Sequence, residues 1–158
     1  MIEAVFLDID GVLTDGYVYV DASGNELKRI SFEDIDAFFE LKREKIKTGF
    51  ITGENSKFCN YVRKRFNPDF FLEGCKDKLN AFQELVSKNG LDKEKICYVG
   101  DSRKDIKLLE FLEISFAPSD SEERVRKAAR FVLRAKRGQG VVKEVTEFVL
   151  TKQNDILL

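Results

Sequence analysis

Two aspartates separated by one residue, Asp8 and Asp10, stand directly after the apolar run AVFL (4–7) and ahead of Gly11. Carboxylates this close repel each other, and a cation between or beside them relieves the repulsion. A site built only of oxygens suits Mg²⁺. By itself such a pair reads as turn chemistry at a strand end. Three later segments change the weighing. Thr52-Gly53 closes the run GFI, Gly100-Asp101-Ser102 closes ICYV, and Asp105 follows one helical turn after Asp101, where it can support a metal site. Lys78 opens the stretch after DFFL and supplies a fixed positive charge. Hydroxyl, carboxylates, flexible backbone and ammonium are the groups that a phosphate ester needs around its oxygens.

Other chemistries are excluded by composition. There is no histidine, which removes Ser-His and Cys-His catalysis and His-ligated zinc together. Cys59, Cys75 and Cys97 show no CxxC spacing and have no base beside them, so they read as reduced thiols. A net charge of −1 argues against nucleic acid as the main partner. No apolar run approaches the ~20 residues that cross a bilayer. The start MIEAVFLDID carries no basic n-region and no cleavage signal, so the expected location is the cytoplasm.

The elements that must position these groups follow from periodicity. AVFL (4–7), GFI (49–51), DFFL (69–72), ICYV (96–99) and ISFA (114–117) are too short for helices and read as buried parallel strands. Amphipathic stretches lie between them. In 76–89, Leu79, Phe82, Leu85 and Val86 share a face and Gly90 is placed to stop the helix. Residues 103–112 and 141–150 show similar stripes, and the cluster Ser119–Glu123 predicts the cap of a helix running to about Ala129. Such alternation predicts an α/β, Rossmann-like parallel sheet with helices on both faces. Residues 17–32 break the rhythm with two extended stretches around Ala22-Ser23-Gly24-Asn25, a hairpin signal. With no repeat and no linker, residues 1–158 are expected to form a single domain with the hairpin inserted after the first strand.

DxDGVxTDG, then TG, then Lys, then GDxxxD resembles the four-motif pattern of the haloacid dehalogenase superfamily of phosphatases. The hairpin with GNELK, the segment EGCKDKL and the late RGQGVVKEV extend the likeness to nearly the whole chain. They resemble the capless branch that dephosphorylates 2-keto-3-deoxy sugar acids, such as octulosonate 8-phosphate and nononate 9-phosphate. The resemblance implies Asp8 as nucleophile and Asp10 as general acid and then base. It implies Mg²⁺ held by Asp8, Asp101 and the Asp10 backbone carbonyl, with Thr52, Gly53 and Lys78 on the phosphoryl oxygens and Asp105 orienting Lys78 or a metal-bound water. It also implies a homotetramer in which a neighbouring subunit covers the active site, because the gaps from Asp10 to Thr52 and from Gly53 to Lys78 leave no room for a lid domain. The apolar residues Val18, Val20, Ile30 and Phe32 offer material for such contacts, or for ordinary core.

The sugar-acid contacts depart from the branch's pattern. Glu54 follows Thr52-Gly53, as in the nononate type, and Val62 stands where an arginine is usual, with Arg63 and Arg65 nearby. The helix after the hairpin opens with Asp34-Ile35-Asp36-Ala37 where small residues are usual. Glu54, Arg63, Arg65 and Asp34 are therefore the candidate substrate residues, with Lys28, Arg29 and Arg137 as further basic candidates. Two alternatives remain at this level: a phosphatase of a different sugar phosphate, and a non-catalytic assembly module like those fused to sugar-acid cytidylyltransferases.

Overall fold

The computed structural model describes residues 1–155. Four-residue β1 (Ala4–Leu7) is buried along its whole length. Its alternate side chains pack in opposite directions: Val5 and Leu7 join one core cluster, while Ala4 and Phe6 join another. A strand covered on both faces reads as a continuous apolar run, which is why no polar alternation marks it.

Six strands form one parallel sheet in the order β5-β4-β1-β6-β7-β8. They are β1, β4 (Lys47–Ile51), β5 (Phe70–Leu72), β6 (Ile96–Val99), β7 (Ile114–Ala117) and β8 (Phe131–Val132). Helices α1 (Phe32–Arg43), α2 (Lys57–Phe66) and α6 (Val141–Asp155) cover one face, supplying Phe38, Phe66 and Val145 to the cluster around Val5. Helices α3 (Lys78–Asn89), α4 (Ile106–Phe111) and α5 (Glu123–Ala128) cover the other, supplying Phe82, Leu108 and Val125. Phe6 crosses toward Phe82 at 5.5 Å and stacks on Phe70 at 5.6 Å. It fits because Gly49 lies beside it, where a Cβ would fall 2.4 Å from the ring.

The expected strands and helices are present, with informative differences. α3 ends at Gly90 in the left-handed conformation, as the glycine there implies. The stretch after Asp101 begins with a 3₁₀ turn, Arg103–Asp105, and becomes α-helical only at Ile106. The Ser119–Glu123 cluster supplies the N-cap residue of α5, Glu122, and its first-turn acid, Glu123, but no side chain of the cluster makes a capping hydrogen bond. Ser119 Oγ donates to the carbonyls of Arg134 and Ala135, and Asp120 accepts from the Arg137 N–H, so the cluster ties down a later loop. β8 is two exposed residues long, too short to leave a periodic signal.

The hairpin pairs Tyr19 with Leu27 and Val20 with Glu26, forming β2 (Tyr19–Val20) and β3 (Glu26–Leu27). Of the apolar residues read for this face, Val18, Val20 and Phe32 are exposed, as is Leu27, whereas Ile30 is half-buried and packs against the core. The hairpin forms its own two-stranded sheet outside the main one. Between β1 and β4 there are only the short helical turn Ile9–Leu13, this hairpin and α1, and between β4 and α3 only α2 and β5. No helix among the described residues is long and apolar enough to cross a membrane.

Candidate active site

The carboxyl ends of β1, β4 and β6 bring Asp8, Thr52 and Asp101 to one edge, where parallel strands leave room for ligands. A cavity of about 250 Å³ opens there, lined by Asp8, Asp10, Gly16, Thr52, Gly53, Glu54, Lys78, Asp101, Ser102, Lys104 and Arg137. After Asp8 the backbone turns sharply, with Gly11 at φ +86°. A Cβ there would fall 1.8 Å from Asp101 Oδ2, so only glycine lets the β1 loop meet the β6 loop.

Lys78, at the start of α3, is buried and lies 2.8 Å from Asp8 Oδ2 and 2.7 Å from Asp105 Oδ1. Burial alone would disfavour its charge, but the two carboxylates outweigh that and hold its pKa above the ordinary lysine value. Asp105 is fully occupied. Its Oδ1 accepts from Lys78 and from the Tyr98 hydroxyl at 2.6 Å, and its Oδ2 accepts from the N–H groups of Asp101 and Ser102 at 3.0 Å and from Ser102 Oγ. Burial opposes its ionisation, yet Lys78 and these donors prevail and its pKa is lowered.

Asp8 and Asp101 are in the opposite condition. Burial, then the charge of Asp105, raises Asp8 well above the usual carboxylate range, and Lys78 offsets only part of this. Asp101 is pushed up to about 7, by burial first and Asp105 second. Asp101 Oδ1 is buried with no hydrogen-bond partner. Carboxylate oxygens of Asp8, Asp101 and Asp105 lie within 4.8 Å of one another. Since those of Asp105 already accept five hydrogen bonds, Asp8 and Asp101 are the pair with capacity for a cation. Two buried acids and an orphaned oxygen fit a hard divalent ion, which would restore their ionised forms.

Asp10 sits further out, a third exposed, with Lys28 Nζ 2.7 Å from its Oδ1. Thr52 Oγ accepts from the Glu54 N–H at 3.1 Å, leaving the hydroxyl proton free to point into the cavity.

The candidate substrate residues divide. Glu54 lines the cavity. Arg63 is turned away, paired with Glu73 at 2.5 Å and lying over the Phe71 ring. Arg65 lines a separate groove with Phe58, Tyr61 and the hairpin. Asp34 is buried at the α1–α6 contact, where it accepts from the N–H groups of Gly140 and Lys143 at 3.1 and 3.0 Å. It caps α6 from a distant part of the chain and does not reach the cavity, because its side of α1 faces that helix. Arg29 pairs with Asp15 at 2.5 Å. Lys104 and Tyr98 carried no signal in the sequence. A lysine in a polar loop looks like solvated surface, and a tyrosine within ICYV looks like core.

A family model described as haloacid dehalogenase-like hydrolase matches residues 71–145. Over 155 residues the chain is 30% identical to the 3-deoxy-D-manno-octulosonate 8-phosphate phosphatase of Escherichia coli (strain K12), covering 98% of this chain and 82% of that one. The solved structure of this phosphatase from Moraxella catarrhalis, in complex with magnesium, phosphate and a KDO molecule, matches with a TM-score of 0.92 at 28% identity, covering 98% and 88% of the two chains. The cobalt-bound form from Haemophilus influenzae matches with a TM-score of 0.90 at 28% identity, covering 97% and 90%. Fold, site and relatives together define a phosphoric monoester hydrolase. The chain belongs to the haloacid dehalogenase superfamily, in the capless branch of the octulosonate 8-phosphate phosphatases.

Proposed function

We propose that this enzyme hydrolyses a phosphorylated 2-keto-3-deoxy sugar acid, octulosonate 8-phosphate or nononate 9-phosphate, through a phosphoryl group carried on Asp8. The observation that carries the reading is the placement of Asp8. Its Oδ2 is held 2.8 Å from buried Lys78, and the orphaned Oδ1 of Asp101 belongs to the same carboxylate cluster.

Asp8 attacks phosphorus, the bond to the sugar oxygen breaks, and Asp10 delivers a proton to the departing alkoxide. Asp10 then takes a proton from the water that attacks phosphorylated Asp8, releasing inorganic phosphate and restoring the Asp8 carboxylate and the Asp10 carboxylic acid. Thr52 Oγ, the Gly53 N–H and Lys78 donate to the phosphoryl oxygens, and Asp105 keeps Lys78 in place. Mg²⁺, held by Asp8, Asp101 and the Asp10 carbonyl, would supply charge neutralisation between carboxylate and phosphate. Phosphoryl transfer gains from exclusion of water. In a homotetramer a neighbouring subunit would supply that cover, and the exposed apolar hairpin is suited to the contact.

The test is phosphate release, with and without Mg²⁺, from octulosonate 8-phosphate, nononate 9-phosphate, N-acetylneuraminate 9-phosphate and hexose phosphates. Mg²⁺-dependent turnover of one sugar-acid phosphate is expected. Hexose phosphates as the best substrates would refute the substrate class, and no release from any of them would favour an assembly role. Asp8→Asn should remove at least roughly a thousandfold of turnover, ~4 kcal/mol of barrier. Retained activity would refute the nucleophile.

A further inference from the structure

Three cations line the cavity: Lys78, Lys104 and Arg137. Lys78 is bound by Asp8 and Asp105. Arg137 is engaged by Asp120, through its backbone N–H at 2.9 Å and its Nε at 3.4 Å, with a second guanidinium nitrogen 3.8 Å from Asp101 Oδ2. Lys28, next to the cavity, is bound by Asp10. Among the described residues, Lys104 has no carboxylate within ion-pair distance, so it is the cavity's unneutralised positive charge.

Its position follows from the turn that carries it. In the 3₁₀ turn Arg103–Asp105, Asp105 is directed inward by the N–H groups of Asp101 and Ser102, while Lys104 is exposed. Lys104 Nζ nevertheless comes within 3.9 Å of the point where a Cβ on Gly53 would stand. Gly53 follows β4 and Lys104 follows β6, and between those strands lies β1 with Asp8 at its end. The side chain therefore bridges the strand end that carries the nucleophile.

The phosphoryl group already has the buried Lys78 and Thr52 and the Gly53 N–H at the end of β4. Asp8, Asp10, Glu54 and Asp101 line the same walls. A substrate carrying a second negative charge on its alcohol half would be repelled there unless it met a cation of its own. We propose that Lys104 is a specificity-determining residue that binds a carboxylate on the leaving group of a phosphorylated sugar acid. This inference rests on the phosphatase reading above and adds the residue that selects the acid.

The experiment compares wild type, Lys104→Met and Lys104→Arg on whichever of octulosonate 8-phosphate and nononate 9-phosphate the wild type turns over better, and on p-nitrophenyl phosphate, which has no carboxylate, both with Mg²⁺. For Lys104→Met, KM for the sugar-acid phosphate should rise about tenfold or more, as expected when a charged hydrogen bond is lost. Its kcat, and both constants for p-nitrophenyl phosphate, should stay unchanged. Lys104→Arg should recover most of the loss. A parallel rise in KM on both substrates would place Lys104 on the phosphoryl group and overturn the inference, as would no change on either. Wild-type enzyme that turns over p-nitrophenyl phosphate but neither sugar-acid phosphate would overturn the inference and leave the phosphatase reading standing. Release from none of the three would overturn both.

Discussion

Asp105 and Lys78 form a buried ion pair at 2.7 Å, and each is there because of the other. Lys78 arrives from the start of α3 and Asp105 from the turn after β6, on opposite sides of the strand that carries Asp8. Removing one member of a buried pair leaves the other charged in a poorly solvated place, so Asp105→Ala should destabilise the protein by roughly 3 kcal/mol. Tyr98→Phe, which deletes one of the five donors to Asp105, should cost about 1 kcal/mol. Urea denaturation of the two variants gives these values, and an Asp105→Ala cost no larger than that of Tyr98→Phe would contradict the pairing.

Gly11 is where the site is most sensitive to a single methyl group. Gly11→Ala places a Cβ on the Asp101 carboxylate, and displacing that group should lower turnover by about a hundredfold or more. The Mg²⁺ concentration giving half-maximal rate should rise at the same time. A variant with wild-type Mg²⁺ dependence would show that Asp101 does not serve the metal.

Asp34 bears on stability and not on chemistry. Its carboxylate caps α6 across more than a hundred residues of chain, and Asp34→Ala should cost about 2 kcal/mol while leaving kcat on p-nitrophenyl phosphate unchanged. Burial, the largest influence, raises its pKa, with the backbone N–H groups pulling back. The folded protein thus holds this proton more tightly than the unfolded chain does. Stability from this group falls as pH rises from the unfolded value through the raised one. Asp34→Asn should flatten that part of the stability–pH curve, read as the difference from wild type. Loss of turnover at unchanged stability would return Asp34 to the active site.

The exposed hairpin makes a prediction about assembly. Val20→Asp with Leu27→Asp puts two charges on the apolar strands without touching the main sheet. Sedimentation velocity should then show monomers or dimers in place of a tetramer. A wild-type protein that is itself monomeric would rule out the covering neighbour.

How far local pattern reaches is clear from the parts. Asp8, Asp10, Thr52, Lys78, Asp101 and Asp105 could be singled out because each follows a short apolar run, or opens or enters a helix. A parallel sheet carries every such strand end to the same edge. The chain's order of strand, acid, hydroxyl, lysine and acid was therefore enough to bring these groups to one edge of the sheet. The absence of histidine narrowed the chemistry further, without any geometry.

Tertiary structure decided what depends on helix rotation and strand order. Arg63, Arg65 and Lys104 look alike in the chain, yet Arg63 turns to Glu73 and Phe71, Arg65 lines an outer groove, and Lys104 reaches over the site. Asp34 and Asp10 are both acids in the first half of the chain. One is sealed beneath α6 and the other stands at the cavity, because α1 presents its first turn to a helix that arrives only at the end of the sequence. Lys104 can span to Gly53 only because β1 lies between β4 and β6. Residue type and local period determine which groups exist and at which strand end. Which of them face one another is decided by contacts between segments far apart in the chain, and no local window contains that information.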